Sequence, residues 1–285
     1  MTEMARGGAR EARPRERRFQ PSRVLSYLVM AGIVVGILFP LVPIALWSVT
    51  YRWFYPRIIP SNLSLRAWSY VFSPASQAAN AAVTGGIIAL VATVVSLLIG
   101  IPGGRALGLH RFRGKKVVEF LILAPVIVPS LAVLMGMHVV FIRLGLTNPL
   151  GVMLAHLVST TPYVVMVMSS VFANYEPEYE EQARTLGAGP LRTFWHVTLP
   201  AIFPGLIAAG MFAFIISWGQ YIVTLLISGG KVITVPLLLV TFAGSANPSV
   251  TAALCVLFVA PSVVYIILGS RYLTGENAAL GGFGR

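Results

Sequence analysis

Six apolar runs, each about twenty residues or longer, decide what this chain can become: 24–50, 79–104, 117–142, 151–173, 203–228 and 249–271. A run of that length, coiled as a helix, matches the hydrocarbon core of a bilayer. Charged residues make up 11% of the 285, far below the roughly 25% with which a soluble domain faces water. The expected fold is an all-α membrane protein with six transmembrane helices in one domain over 24–271. A basic arm (1–23) precedes it, a tail (272–285) follows, and polar connections fall at 51–78, 105–116, 143–150, 174–202 and 229–248.

Cationic residues set the orientation. Seven arginines precede residue 24 (Arg6, Arg10, Arg13, Arg15, Arg17, Arg18, Arg23), and five cations crowd 105–116 (Arg105, Arg111, Arg113, Lys115, Lys116). With both termini cytoplasmic, sixteen Lys and Arg lie inside and five outside, as the positive-inside rule favours. The arm is read as topogenic rather than nucleic-acid-binding. Arg17-Arg18-Phe19 looks like a twin-arginine export signal. The apolar run behind it is too long for one and lacks a small-x-small cleavage site, so a retained span is expected. In the outer loop, Trp53, Phe54, Tyr55, Trp68, Tyr70 and Phe72 suit an interfacial belt, and 65–72 reads as a short surface helix.

Several chemistries are absent. No stretch fits a phosphate-binding G-x-x-x-x-G-K-[ST] loop, no GxSxG elbow occurs, and the four histidines lie on separate segments without metal-ligand spacing. Cys255 is the only cysteine. The chain has no aspartate, and Glu119 at the end of the third run is interfacial. A carrier driven by protons or sodium needs an intramembrane acid or cation site, which argues against a stand-alone ion-gradient carrier or channel. Pro125 and Pro129, close together in the third run, suit either a packing kink or a discontinuous helix beside a pathway. A polar set, His138, Tyr163, Ser217, Trp218, Gln220, Tyr221 and Thr224, suggests the lining of a solute path, with interhelical hydrogen bonding the competing reading for each.

The long polar interruption between the fourth and fifth runs, 174–202, has its own design. Pro177 suits a first helical turn, and Glu176, Glu178, Glu180 and Glu181 crowd a positive helix start. Tyr179, Ala183 and Leu186 fall on one face. Gly187 and Gly189 break the helix, Pro190 starts another, and Pro200 and Pro204 are expected to end it. The result is a peg of two short helices, too short to stand alone in water, which packs on its own spans or inserts into a partner's groove.

This segment resembles the EAA loop of ABC-importer permeases, E-A-A, three residues, G, nine residues, I-x-L-P. Glu181, Gln182, Ala183, Gly187, Val197, Leu199 and Pro200 stand at those spacings, with Gln182 and Val197 departing mildly. The stretches 111–115, 155–163 and 232–238 look like the permease-II branch of spermidine/putrescine-type importers. The resemblance implies a type I importer permease fold and a larger machine in a bacterial cytoplasmic membrane. That machine has two ATPase subunits holding ATP and Mg, a second permease (a paralogue rather than a copy) and an external solute-binding protein. It assigns ATPase coupling to Glu181, Ala183, Leu186, Gly187, Leu191, Phe194, Trp195, Leu199 and Pro200. No cofactor and no catalytic residue is expected on this chain. Acids that polyamine permeases carry near Trp218–Gln220 are missing, so the solute is left as a small polar one, polyamine-type or another organic solute such as a sugar.

Overall fold

The computed structural model describes residues 21–273, apart from 52, 54–59, 61 and 246. The arm through residue 20, the tail from 274, and Phe54 and Tyr55 of the aromatic loop lie outside the described residues. The chain divides at Pro43/Ile44 into two units.

The first unit carries α1 (Pro21–Leu38). The expected run 24–50 is interrupted at Phe39–Pro40, because Pro40 has no N–H to continue the ladder, although its two pieces together still have the length and apolarity of one span. The chain turns at Phe39–Pro40 and α2 (Leu41–Ser48) begins anew.

The second unit is a helical bundle. A short helix α3 (Arg66–Val71) and a single 3-10 turn (Pro74–Ser76) lead into α4 (Ala78–Leu109). α3 is the surface helix expected from the aromatic loop. It is half sunk, with Ala67 and Val71 buried against Val250, Ala253 and Leu254. There follow α5 (Lys115–Ile127), α6 (Ser130–Arg143) and α7 (Pro149–Ala173). After a hairpin come α10 (Leu199–Trp218), α11 (Ile222–Ser228), α12 (Val235–Ala243) and α13 (Pro248–Leu273). The hairpin itself holds α8 (Glu178–Thr185) and α9 (Pro190–Thr193).

The centre is α4, α7 and α10, with α4 against α7 the most extensive pairing. Three glycines one turn apart on α4 make that pairing close. A Cβ at Gly104 would sit 2.7 Å from the carbonyl carbon of Met168, and one at Gly108 2.6 Å from the carbonyl oxygen of Ser169. Small residues admit such approach where lipid offers no hydrophobic drive. Val164, Met168, Phe172, Ile202, Ala209 and Ala213 fill the space between α7 and α10.

Two expected spans are broken. The third, read as 117–142, divides into α5 and α6, bent by 96°. Pro125 stays inside α5, and the break falls at Val128–Pro129, where the pre-proline residue is extended (φ −73°, ψ 140°). The fifth, read as 203–228, stops at Trp218, and the chain restarts only at Ile222. At its other end the fifth span begins much earlier than expected. Pro200 and Pro204 do not end a helix, and the chain is helical from Pro190 to Trp218. A π-turn at Phe194–Thr198, in which the Leu199 N–H donates to the Phe194 carbonyl, makes room for the Pro200 ring. Leu25–Ser48, α4, α7, Pro190–Trp218 and α13 (from Pro248 to Tyr272) are each long and apolar enough to cross a membrane, and α5 with α6 makes a sixth if counted as one broken span.

Candidate functional site

The hairpin 174–202 projects from the ends of α7 and α10. Its turn is set by local chemistry. α8 closes in a Schellman motif: the Ala188 N–H donates to the Ala183 carbonyl (3.0 Å) and the Gly187 N–H to the Arg184 carbonyl (2.9 Å). Gly187 supplies the left-handed residue this needs, at φ +85°. Gly189 then caps α9, with Pro190 in its first turn.

A buried carboxylate fastens the hairpin to the bundle. Glu180 is 5% exposed. Arg105, one turn before the end of α4, donates to both its oxygens, at 2.7 and 2.8 Å. Thr198 Oγ1 (2.7 Å) and Tyr175 Oη (3.1 Å) donate to Oε1, and Arg184 approaches Oε2 at 3.6 Å. The Arg105 guanidinium also lies over the Phe172 ring, 5.7 Å from its centre. The bidentate pair with Arg105 is the foremost reason that the Glu180 carboxyl is held down to about 2; Thr198 and Tyr175 add to it, against the opposing cost of burial.

With Glu180 turned inward, the other face of the peg is bare. Leu186 is 88%, Leu191 72% and Trp195 57% exposed. Trp195 meets Phe194 edge-on at 5.9 Å. Gly189, Pro190, Leu191, Arg192, Trp195 and His196 line a hollow of about 530 Å³ beside the turn. Glu181 and Pro200 are exposed, while Ala183 and Leu199 are half-buried.

The two helix breaks meet at a cleft of about 610 Å³. Pro125 to Leu131 contribute one wall and Gly219 to Val223 another, with Ser159 and Tyr163 from α7. None of the lining residues is an acid, a lysine, an arginine or a histidine. Of the polar set singled out from the sequence, the cleft gathers Tyr163, Gln220 and Tyr221. The others stand elsewhere. Trp218 is packed between Phe214 and Phe258, its Nε1–H donating to the Phe258 carbonyl at 2.8 Å. Ser217 and Thr224 both hydrogen-bond the ring of His156. His138 is half-buried on α6 and does not line the cleft.

Sequence reasoning missed Glu180, Arg105 and His156. In the sequence Glu180 reads as one of the helix-start acids and Arg105 as one of the topogenic charges. The signal for Arg105 was its place within one turn of an apolar helix carrying glycines at 100 and 104, which makes it a continuation of that helix rather than a loop charge.

Apolar helices broken around an uncharged cleft, with an apolar peg braced at one end, define a multi-span membrane transport subunit. Residues 100–272 match the family model described as the binding-protein-dependent transport system inner membrane component, and the chain belongs to that family. It is 29% identical over 231 residues to the putrescine transport system permease protein PotI of Escherichia coli K12 (78% of this chain, 76% of that protein). It is also 29% identical over 276 residues to the molybdenum transport system permease protein ModB of Mycobacterium tuberculosis (90% and 98%). A solved bacterial ABC transporter involved in the import of the acidic polysaccharide alginate superposes with a TM-score of 0.69 at 20% identity, over 92% of this chain and 100% of that one. The fold is therefore that of an ABC-importer permease, as the resemblance implied.

Proposed function

We propose that this chain is one half of the solute path of an ATP-driven importer in a bacterial cytoplasmic membrane, powered through the hairpin 174–202. The carrying observation is the peg itself: Leu186, Leu191 and Trp195 are bare, on a hairpin held in place from behind by Glu180 and Arg105. Exposed apolar side chains on a rigid turn are the substance of a partner contact. The partner fitted to it is an ATPase subunit, which holds the ATP and Mg. Both termini and the hairpin face the cytoplasm in this reading, consistent with the cationic asymmetry. A second permease, a paralogue, completes the path, and a solute-binding protein delivers from the far side, where α3 lies.

The cleft at the two breaks is the proposed path. Its lining offers Gln220, Tyr163, Tyr221, Ser130 and Ser159 for hydrogen bonds, and no side chain to counter a formal charge. It suits a small polar solute whose selection rests mainly on the binding protein. Permeases named for putrescine and for molybdenum among its relatives support leaving the solute's identity to the binding protein.

The test is co-purification of the ATPase with full-length chain from membranes. Leu186→Glu and Trp195→Glu should each reduce the ATPase recovered at least about tenfold, the effect of losing one well-buried apolar anchor, with membrane insertion unchanged. Full recovery with both variants would refute the assignment.

A further inference from the structure

His156, 2% exposed on α7, holds the two sides of the α10–α11 break together. Its Nδ1 lies 2.8 Å from Ser217 Oγ, in the last turn of α10. Its Nε2 lies 3.1 Å from Thr224 Oγ1, in the first turn of α11. The hydroxyls settle the tautomer. Thr224 Oγ1 donates its only proton to the Gln220 carbonyl at 3.0 Å, so it can only accept from the imidazole. Nε2 therefore carries the hydrogen, and Nδ1 accepts from the Ser217 hydroxyl. The backbone that carries the ring is tied to α4: Thr160 Oγ1 donates to the His156 carbonyl (2.9 Å) and meets Ser96 Oγ of α4 at 2.6 Å.

Between Ser217 and Thr224 lie Gly219 to Val223, the residues that form one wall of the cleft. α11 has only seven residues, too few to hold its own direction. We infer that His156 is a positioning residue for the solute path, clasping both sides of the break and so fixing how Gln220 and Tyr221 stand in the cleft. The inference rests on the reading of the cleft as the path. Its logic is that of a buried polar network in which every member is satisfied, which selects one arrangement of the groups it joins.

The test is hydrogen exchange on the full-length chain in lipid, read over residues 217–225. His156→Leu removes two neutral hydrogen bonds and should speed exchange there about tenfold or more, with α4 and the body of α7 unchanged. His156→Gln, which keeps a donor and an acceptor, should restore slow exchange. Ser217→Ala with Thr224→Val should reproduce the His156→Leu effect, and adding His156→Leu to that pair should change nothing further. Unaltered exchange in His156→Leu, or a full additive effect on the double variant, overturns the clasp. The path is read separately by introducing cysteine at Gln220 or Tyr221 in a Cys255→Ser background and adding a charged thiol reagent. Cysteines that never react, alongside the expected exchange results, would sink the path and leave the clasp standing.

Discussion

Glu180→Gln is the sharpest probe of the hairpin. The change keeps the shape of the side chain but removes its charge and one acceptor oxygen, leaving Arg105 without a counter-ion. The folded carboxyl lies at about 2 against an ordinary value of 4.5, a difference equivalent to roughly 3 kcal/mol at 1.36 kcal/mol per pH unit. Arg105 has a third of its side chain exposed, and screening there brings the expected stabilisation of the docked hairpin to about 2 kcal/mol. Because the folded value is depressed, this stability is fully present above pH 4.5 and fades as pH falls from there toward 2. Trypsin provides the assay, since Arg184 and Arg192 flank the turn and are exposed. Cleavage of a transiently opened segment follows the population of the open form, so Glu180→Gln should be cut about thirtyfold faster at neutral pH. Cleavage within about twofold of the parent, with both sites still accessible in unfolded chain, would refute the brace.

Gly187→Val should strain the turn, since φ is +85° although open space surrounds the missing Cβ. A cost of about 1–2 kcal/mol should appear as weakened ATPase co-purification with membrane insertion intact. Gly104→Leu should be far more damaging, because Met168 and Ser169 backbone atoms lie within 2.8 Å of where its Cβ would stand. Thermal unfolding in detergent should drop by many degrees, and an unchanged midpoint would contradict the close α4–α7 pairing. Trp218→Leu loses the hydrogen bond to Phe258 and two ring contacts, a penalty of about 2–4 kcal/mol that the same melt would report.

That the chain would carry five or six long apolar helices could be read from the sequence because burial in lipid demands long apolar runs, and such runs are a one-dimensional signal. The breaks were less legible. Pro129 interrupts a span while Pro102, Pro162 and Pro204 sit inside helices, and only tertiary surroundings distinguish them. The hairpin turn was legible because Gly187 and Pro190 have intrinsic conformational preferences. Its brace was not, for Arg105 and Glu180 are 75 positions apart and each has an ordinary local explanation. Ser217 and Thr224 stood out as polar residues in an apolar run. That they serve His156 rather than the cleft depends on which way two helices face, and hydropathy carries no such information.

The unbroken helix from Pro190 to Trp218 has a mechanical consequence. Its 29 residues extend about 43 Å at 1.5 Å per residue. One end carries the bare leucine and tryptophan of the turn, and the other ends at the cleft wall. As a stiff rod, it converts a tilt of about 5° at the peg into roughly 4 Å of travel at Gly219, comparable to the width of a small solute. The π-turn that accommodates Pro200 and the ladder bond that Pro204 cannot make are irregular points along the rod, so their stiffness sets how much of a tilt at the turn reaches the cleft.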